Sequence, residues 1–214
     1  MSSNCPAWDQ PGTEHNREAI VGGMAEFQKF AHRNSKSHLL EHGDLKTWHQ
    51  RIFSASVPLG YYAGNFRSDD SRYPCLMVNN GVGGRPGAPY QDVPRLMQEL
   101  SGEMRNRTVE IDGFVGRNPT PTEKARWVVM LAALYAGRFV RIHPFLNGNG
   151  RLSRLVANYI FDRYGYPAAY FNPFPRPITG YQAASEAAMV GNFSPMFQYL
   201  LTCLGSAVTQ EGGR

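Results

Sequence analysis

The sequence lacks any long apolar run. The longest, from Trp127 to Ala136, is well short of the roughly 20 residues that a helix needs to span a bilayer. A conventional secretory signal is also missing, because Met1–Gly12 is short, polar and contains proline. We therefore expect a soluble chain with no membrane partner. Its expected location is the cytoplasm, with delivery into another cell left open.

Cysteine and concentrated charge are scarce as well. The three cysteines Cys5, Cys75 and Cys203 are odd in number and have no paired spacing, which predicts reduced thiols rather than disulfides or a zinc framework. The net charge is +5 with a pI near 9.2, but the basic residues are spread along the chain. A nucleic-acid partner is therefore not expected. The composition leans weakly toward anionic ligands, but a solvated basic surface is the expected role for most of these side chains.

What the sequence does contain is helical periodicity, over a length that suits one domain of 214 residues. The segment 64–89 differs, because it is rich in glycine and proline and predicts a loop with a small hairpin. Apolar residues at helical spacing predict helices over 18–33, 45–53, 93–105, 121–140 and 149–164, and after Pro177 and Ser194. The expected fold is mainly α, with one domain over 18–204 between tails 1–17 and 205–214.

The helix after residue 120 has the clearest start. Thr120 suits the N-cap, Pro121 the first helical position, and Glu123 completes a capping box. From Trp127 to about Val140 the segment is apolar on nearly all sides. It is therefore expected to be the central buried helix.

Between this helix and the next lies HPFLNGNGRLSR, residues 143–154. Gly148, Asn149 and Gly150 can turn their backbone amides toward an anion just where a helix begins, and a helix N-terminus adds partial positive charge. Arg151 and Arg154 are three residues apart and so project from the same side of that helix. Guanidinium groups match phosphate oxygens well. The segment predicts a polyphosphate site.

His143 opens the same segment. Pro144 favours an extended conformation for the residue before it, which would present the imidazole at the rim of the site. With an ordinary pKa near 6.5, a histidine can accept a hydroxyl proton at neutral pH. Phe145 is expected to point inward and anchor the loop. Taken singly, each of these features is more often structural than functional; their ordered combination predicts a catalytic base beside a phosphate site.

The segment resembles the Fic family signature, HxFx(D/E)GNGRxxR. Supporting similarity comes from FVRIHPF at 139–145, AGNFR at 63–67 and VPRLMQEL at 93–100. The resemblance implies a Fic-type helical bundle with one β-hairpin flap. It further implies transfer of a nucleotidyl group, with AMP from ATP as first choice, to a Ser, Thr or Tyr hydroxyl of a target protein, with Mg²⁺ as cofactor. Formation of a homodimer stays open.

Residue roles follow from the resemblance. His143 would be the base, Arg151 and Arg154 would hold the β- and γ-phosphates, and the turn would bind the α- and β-phosphates through Gly148, Asn149 and Gly150. The flap, about Tyr73–Gly87, would pair by its backbone with an extended target segment. The flap residues chosen as target contacts are Tyr73, Cys75, Leu76, Met77 and Val78.

The sequence departs from the signature at Asn147, which stands where the family has its magnesium-binding carboxylate. An amide oxygen can bind a metal but contributes no charge, so weaker magnesium binding is expected. Three interpretations remain, in this order: an enzyme with relaxed metal dependence, an enzyme using another donor such as another nucleotide or CDP-choline, and a catalytically weak binding protein.

Two further alternatives concern the reaction and its control. One alternative is phosphotransfer, in which the γ-phosphate moves, as in Doc-type relatives. Those relatives carry lysine where Gly150 stands, so glycine favours nucleotidyl transfer. Another alternative is a module that binds peptides without any chemistry. An inhibitory pattern (S/T)xxxE(G/N) has no clean copy, because Glu14 and Glu41 match only in part. Self-inhibition through these glutamates is not expected. Tyr170, Tyr181 and Asn192 are candidates for the base pocket, with core packing an equal explanation for the tyrosines.

Overall fold

The computed structural model describes residues 5–8, 17–167 and 180–211. Within these ranges the chain forms seven α-helices and one two-stranded hairpin, which confirms the mainly α prediction. The elements are α1 Arg17–Asn34, α2 His42–Phe53, β1 Gly81–Val82, β2 Arg85–Pro86, α3 Val93–Val115, α4 Pro121–Ile142, α5 Asn149–Arg163, α6 Tyr181–Met189 and α7 Ser194–Glu211. No helix in the described ranges combines the length and the apolar character of a bilayer span.

Helix α4 organises the domain, because α3, α5, α6 and α7 all pack against it. It begins as predicted, with the Thr120 hydroxyl accepting from the Glu123 amide and the Glu123 carboxylate accepting from the Thr120 amide. Its second half is buried, but Trp127 and Met130 are 40% and 45% exposed. The expectation of a helix buried on nearly all sides is therefore wrong for its first turns, where one face borders an open groove between α3 and α7.

The N-terminal segment and α1 both pack against α2. Helix α1 packs on α2 and α5, with the Phe27 and Trp48 rings edge to face and their centroids 5.1 Å apart. Trp8 is only 7% exposed and lies edge-on to His49 and Phe53. Trp8 thus packs on α2 although it lies in the segment 1–17 that was predicted as a tail. Helix α7 extends to Glu211, and the domain boundaries stay a prediction.

Cys5 and Cys75 form a disulfide. The prediction of reduced thiols is wrong for this pair. The reason is that the N-terminal segment folds back onto the turn Pro74–Leu76 and brings two cysteines 70 positions apart to a Cα–Cα distance of 5.5 Å. Sequence spacing does not reveal such a contact. Cys203 is free.

The hairpin prediction for the segment 64–89 is confirmed. Gly81 pairs with Pro86 and Val82 with Arg85 in antiparallel register. Gly83 and Gly84 form the turn with φ of 57° and 75°, the left-handed conformation that two-residue hairpin turns of this type require. The hairpin lies against α6, which positions it over the pocket described below.

Candidate active site

The loop between α4 and α5 lines a pocket with a cavity volume of about 340 Å³. The hairpin, the first turn of α5 and helix α6 form the rest of its wall. The structure brings together at this pocket every residue that the sequence predicted for the base, the phosphates and the metal. These residues are His143, Asn147, Gly148, Asn149, Gly150, Arg151 and Arg154.

Gly148 is the N-cap of α5, with φ of 80°. A Cβ at this position would lie 2.6 Å from the Phe53 ring and 3.2 Å from His49 Nε2, so both the backbone conformation and the space require glycine. The first residues of α5 line the pocket, and a helix N-terminus favours an anion. The Gly148 amide itself donates to Asn147 Oδ1 at 2.6 Å.

Asn149 has a structural task as well as a place in the pocket wall. Its side chain is 2% exposed; Oδ1 accepts from the Phe145 amide at 2.9 Å and Nδ2 donates to the Phe145 carbonyl at 2.8 Å. Phe145 is fully buried, and its ring stacks on His49 with the centroids 3.7 Å apart. The prediction that Phe145 anchors the loop is therefore confirmed. The phosphate contact predicted for Asn149 is left to its backbone amide.

Arg154 is the main buried charge of the pocket. It is 2% exposed, its guanidinium lies 4.9 Å from the centre of the Tyr181 ring, and its Nε has no hydrogen-bond partner among the described residues. The Tyr181 hydroxyl donates to the Gly150 carbonyl at 3.1 Å, so Tyr181 supports both the arginine and the turn. Arg151 lies on the same wall, 5.9 Å from the Phe53 ring centre.

His143 lines the pocket, but not in the expected conformation. It has φ of 54° and ψ of 57°, which is left-handed rather than extended, because it serves as the C-cap of α4 and its amide still donates to Phe139. Burial lowers the pKa of His143 to about 4, and the positive charge of Arg67 acts in the same direction. Nδ1 lies 3.3 Å from the Val140 carbonyl. Since a carbonyl only accepts, Nδ1 carries the proton and Nε2 is left with a free lone pair.

His49 is a residue of α2 that contacts the α4–α5 loop from below the pocket. It is fully buried, and burial lowers its pKa to about 3. The Gly64 amide donates to its Nδ1 at 2.9 Å, so Nε2 carries the proton and donates to the Asn147 carbonyl at 3.0 Å. Its position among the buried residues Leu45, Trp48 and Ile52 of α2 explains why it points inward. The hydrogen bond to a loop 98 residues away has no signal in the sequence.

The flap lies at the edge of the pocket. Its two paired strands come later in the chain than the five residues that were predicted to contact the target. Leu76 is fully buried, Cys75 is in the disulfide, and both belong to the turn Pro74–Leu76. Tyr73 packs against Tyr61, with ring centroids 5.3 Å apart. Gly81, Val82 and Gly83 are the flap residues that line the pocket. Tyr73, Cys75, Leu76, Met77 and Val78 thus form the base of the flap rather than its edge.

Two contacts missed by sequence reasoning fasten the flap to the loop. Asn80 Nδ2 donates to the carbonyls of Phe145 and Leu146, at 3.3 and 2.9 Å. Gly87 lies so close to His143 that an added Cβ would be 2.8 Å from the histidine Cβ. The flap therefore has a fixed base beside the histidine.

The pocket does not fit a magnesium ion held by the protein. Asn147 Oδ1 accepts from the Gly148 amide, and none of the described residues that line the pocket is a carboxylate. The described residues also contain no group of three His, Cys, Asp or Glu side chains that could hold a metal. Because Mg²⁺ usually takes one or two protein carboxylates plus phosphates and water, the site offers it one neutral oxygen at most.

The remaining candidates are placed as follows. Glu41 caps α2 and pairs with Arg105, and it is not among the residues that line the pocket. Asn192 accepts from the Ser194 amide as a helix cap. Glu14 and Tyr170 lie outside the described residues.

The fold and the pocket together define a helical domain built around a glycine-rich loop, with a neutral histidine at one end and a hairpin beside it. A family model described as the Fic/DOC family matches residues 39–161. This chain belongs to the Fic/DOC family.

Curated relatives and solved structures agree with this assignment. The chain is 28% identical over 192 residues to the protein adenylyltransferase Fic of Nematostella vectensis, covering 89% of this chain and 38% of that protein. It is 32% identical over 119 residues to the protein of the same name from Drosophila ananassae, covering 48% and 23%. The chain thus spans less than half the length of these relatives.

Two solved structures share the fold. One is a Fic domain containing signaling protein from Bacteroides thetaiotaomicron, with a TM-score of 0.63, 19% identity, and coverage of 97% of this chain and 75% of that one. The other is BepC from Bartonella tribocorum with bound AMPPNP, with a TM-score of 0.61, 14% identity, and coverage of 89% and 84%. At these identities the likeness concerns the fold.

Proposed function

We propose that this chain transfers AMP from ATP to a Ser, Thr or Tyr hydroxyl of a target protein. Membership of the Fic/DOC family supports Fic-type chemistry, and curated relatives carry the name protein adenylyltransferase. The structure of BepC with AMPPNP supports ATP as the donor. The donor, the acceptor and the activity of this particular chain are the proposal.

The observation that carries the proposal is the buried Arg154. A guanidinium that is 2% exposed, with an unpaired Nε and no carboxylate partner among the described residues, favours an anion that would offset its desolvation. The N-terminus of α5 and Arg151 border the same cavity and favour the same kind of ligand. The cavity of about 340 Å³ has the size of a small-molecule site. A triphosphate supplies the missing negative charge.

The proposed reaction uses these groups in the following way. Nε2 of His143 accepts the proton of the target hydroxyl, and the hydroxyl oxygen forms a bond to the α-phosphorus of ATP. The bond between the α-phosphorus and the oxygen bridging to the β-phosphorus breaks, and pyrophosphate leaves. Arg151 and Arg154 offset the charge that develops on the leaving group. The imidazolium then releases its proton to water.

Gly150 favours transfer of the nucleotidyl group over transfer of the γ-phosphate. A Cβ at this position would lie 3.7 Å from both Arg154 Nη1 and the Tyr181 hydroxyl, so a longer side chain would enter the space in front of the arginine. Glycine keeps that space open for the phosphates that leave. Another nucleotide or CDP-choline in place of ATP is the remaining alternative on the donor side.

The outer edge of β1 is the proposed docking edge for the target. Pro86 in β2 has no amide hydrogen to donate, whereas Gly81 and Val82 in β1 have amides and line the pocket. An extended target segment that adds to β1 would bring its hydroxyl toward His143. This assignment moves the target contacts from the base of the flap to its hairpin.

The test is to incubate the purified chain and a soluble protein extract with ATP labelled at the α- or the γ-phosphorus. Protein labelled from the α-position alone is the expected result. Label from the γ-position would make the chain a phosphotransferase, and ATP binding without labelling would make it a binding module. His143→Ala should bind ATP but transfer roughly 10²- to 10⁴-fold more slowly. No ATP binding by the unmodified chain would rule out the proposal.

Metal dependence is tested in the same assay. We expect transfer to depend only weakly on magnesium, because the protein contributes no described carboxylate to the pocket. Asn147→Asp should increase the magnesium dependence. An Asn147→Asp variant with unchanged rate and unchanged magnesium dependence would remove position 147 from the proposed site.

A further inference from the structure

Arg67 is a charged side chain that is fully buried between the flap and the α4–α5 loop. Its guanidinium donates three hydrogen bonds, all to backbone carbonyls: Nε to His143 at 2.8 Å, Nη2 to Ile142 at 2.9 Å and Nη1 to Val78 at 3.0 Å. Its backbone amide donates to the Pro144 carbonyl at 2.8 Å. Within the described part of the chain no carboxylate pairs with it.

These bonds surround the conformation of one residue. His143 is one of only two described non-glycine residues with positive φ, a conformation that persists when the surrounding structure holds it from several sides. Arg67 binds the carbonyls before, at and after His143, at three consecutive positions. The direction of the Cα–Cβ bond of His143 is thereby fixed. The last carbonyls of α4, which lack helical partners, are satisfied in the same way.

The fourth contact belongs to the flap. Val78 lies three positions before Gly81 of β1, and its carbonyl shares the guanidinium with the α4–α5 loop. The Ala88 amide, just after the flap, donates to the same Ile142 carbonyl at 3.2 Å. The Arg67 side chain thus holds the base of the flap at a fixed position relative to His143.

Stability alone does not explain a charge at this place. Burial lowers the pKa of Arg67 to about 10, so the group remains charged at neutral pH and depends on carbonyl dipoles for compensation. A buried charge is frequently replaceable by an apolar side chain without loss of stability. The planar fork of donors, by contrast, has no apolar substitute.

We propose that Arg67 is a positioning residue of the transfer reaction, which holds His143 in its left-handed conformation and couples the flap to it. The proposal rests on the proposed function for its kinetic consequences. Arg67 is not among the residues that line the pocket, so it acts through His143 and the flap rather than on the nucleotide.

The test compares Arg67→Lys and Arg67→Met with the unmodified chain. Lysine keeps the charge but cannot reach three carbonyls with a planar fork, so kcat should fall roughly 10- to 100-fold in both variants because the base is misplaced. The KM for ATP should change less than about twofold, because Arg151 and Arg154 are intact. Calorimetric ATP stoichiometry corrects for any unfolded fraction. The exposed Arg95, replaced by Lys, is the matched control and should leave both parameters unchanged.

The pH profile separates positioning from simple support of the fold. Arg67→Met removes the positive charge beside His143, while Arg151 and Arg154 remain across the pocket. The acid limb of kcat should therefore move to higher pH in Arg67→Met and move less in Arg67→Lys. If Arg67→Met does not fold, the kcat and KM of Arg67→Lys decide.

Nitrogen NMR of the imidazole rings gives a readout that needs no activity. The expected result is that His143 in the unmodified chain carries its proton on Nδ1, and that both Arg67 variants populate the other tautomer or titrate at higher pH. An unchanged His143 signal together with an unchanged kcat would overturn the proposal. An unmodified chain without transfer activity, but with a His143 signal that responds to Arg67, would overturn the proposed function and leave the positioning role intact.

Discussion

The α4–α5 loop and the flap border the same pocket but are held by different kinds of contact. The loop is fixed by buried side chains: Phe145 stacks on His49, and Asn149 bonds to the backbone of Phe145. The hairpin has two residues per strand and a glycine turn, and its base is tied down by Arg67 and Asn80. The residues proposed to bind phosphate and to act as the base therefore lie on a densely packed loop, while the proposed docking edge depends on a few backbone bonds.

The largest expected effect is acid destabilisation of the loop. The pKa values of His49 and His143 are lowered to about 3 and about 4, below the ordinary value of about 6.5. Between these limits the unfolded chain binds protons that the folded chain does not bind. The free energy of unfolding is therefore highest above about pH 7, and it should fall as the pH drops from about 6.5 toward 4, by up to about 1.4 kcal/mol per pH unit for each histidine.

Urea denaturation near pH 7, 5.5 and 4.5 measures this dependence. In His143→Asn the part of the slope due to residue 143 should disappear, while the part due to His49 remains. A slope that is the same with and without His143 would mean that the loop does not keep this ring neutral. The transfer rate, which needs the neutral ring, should in contrast stay level from pH 8 down to about 5.

The next effect contrasts a loop residue with a flap residue. Phe145→Ala should lower the free energy of unfolding by about 3–5 kcal/mol, because the ring is fully buried against His49 and Phe66. Val82→Ala in the hairpin should cost less than about 1 kcal/mol, since Val82 is only partly buried. Chemical denaturation compares the two. Equal losses would contradict the distinction between a packed loop and a lightly held flap.

The sequence predicted the α4–α5 loop better than the flap, because the loop residues are close in sequence and the flap contacts are not. Gly148, Arg151 and Arg154 are local to one helix start, and spacing alone brings them together. The contacts that complete the site join distant positions: His49 with Asn147, Arg67 with Ile142, and Cys5 with Cys75. The left-handed conformation of His143 also depends on such contacts, which override the local preference imposed by Pro144.

Reduction of the disulfide at the base of the flap should have an intermediate effect on the free energy of unfolding. Cys5–Cys75 joins positions 70 residues apart, so it restricts the unfolded chain over a long segment. Its reduction should lower the free energy of unfolding by about 2–4 kcal/mol. Denaturation with and without a thiol reductant measures the loss. Cys5→Ser should show the loss without reductant and no further response to it, whereas Cys203→Ser should behave like the unmodified chain.

The smallest effect is expected from the glycine turn of the hairpin. Gly84 has φ of 75° and no atom within 4 Å of an added Cβ, so Gly84→Ala introduces backbone strain of about 1 kcal/mol without a clash. Gly102 in α3 also has open space around an added Cβ but no positive φ. Gly102→Ala should therefore stabilise the chain by up to about 1 kcal/mol.

Comparing Gly84→Ala with Gly102→Ala separates the effect of the turn conformation from the effect of adding a methyl group. If the flap edge docks the target, Gly84→Ala should also raise the KM for the protein acceptor a few-fold and leave the KM for ATP unchanged, because only the hairpin is distorted. Gly102→Ala should change neither KM. A higher KM for ATP in Gly84→Ala would mean instead that the hairpin closes over the nucleotide, and the flap would then belong to the same rigid site as the loop.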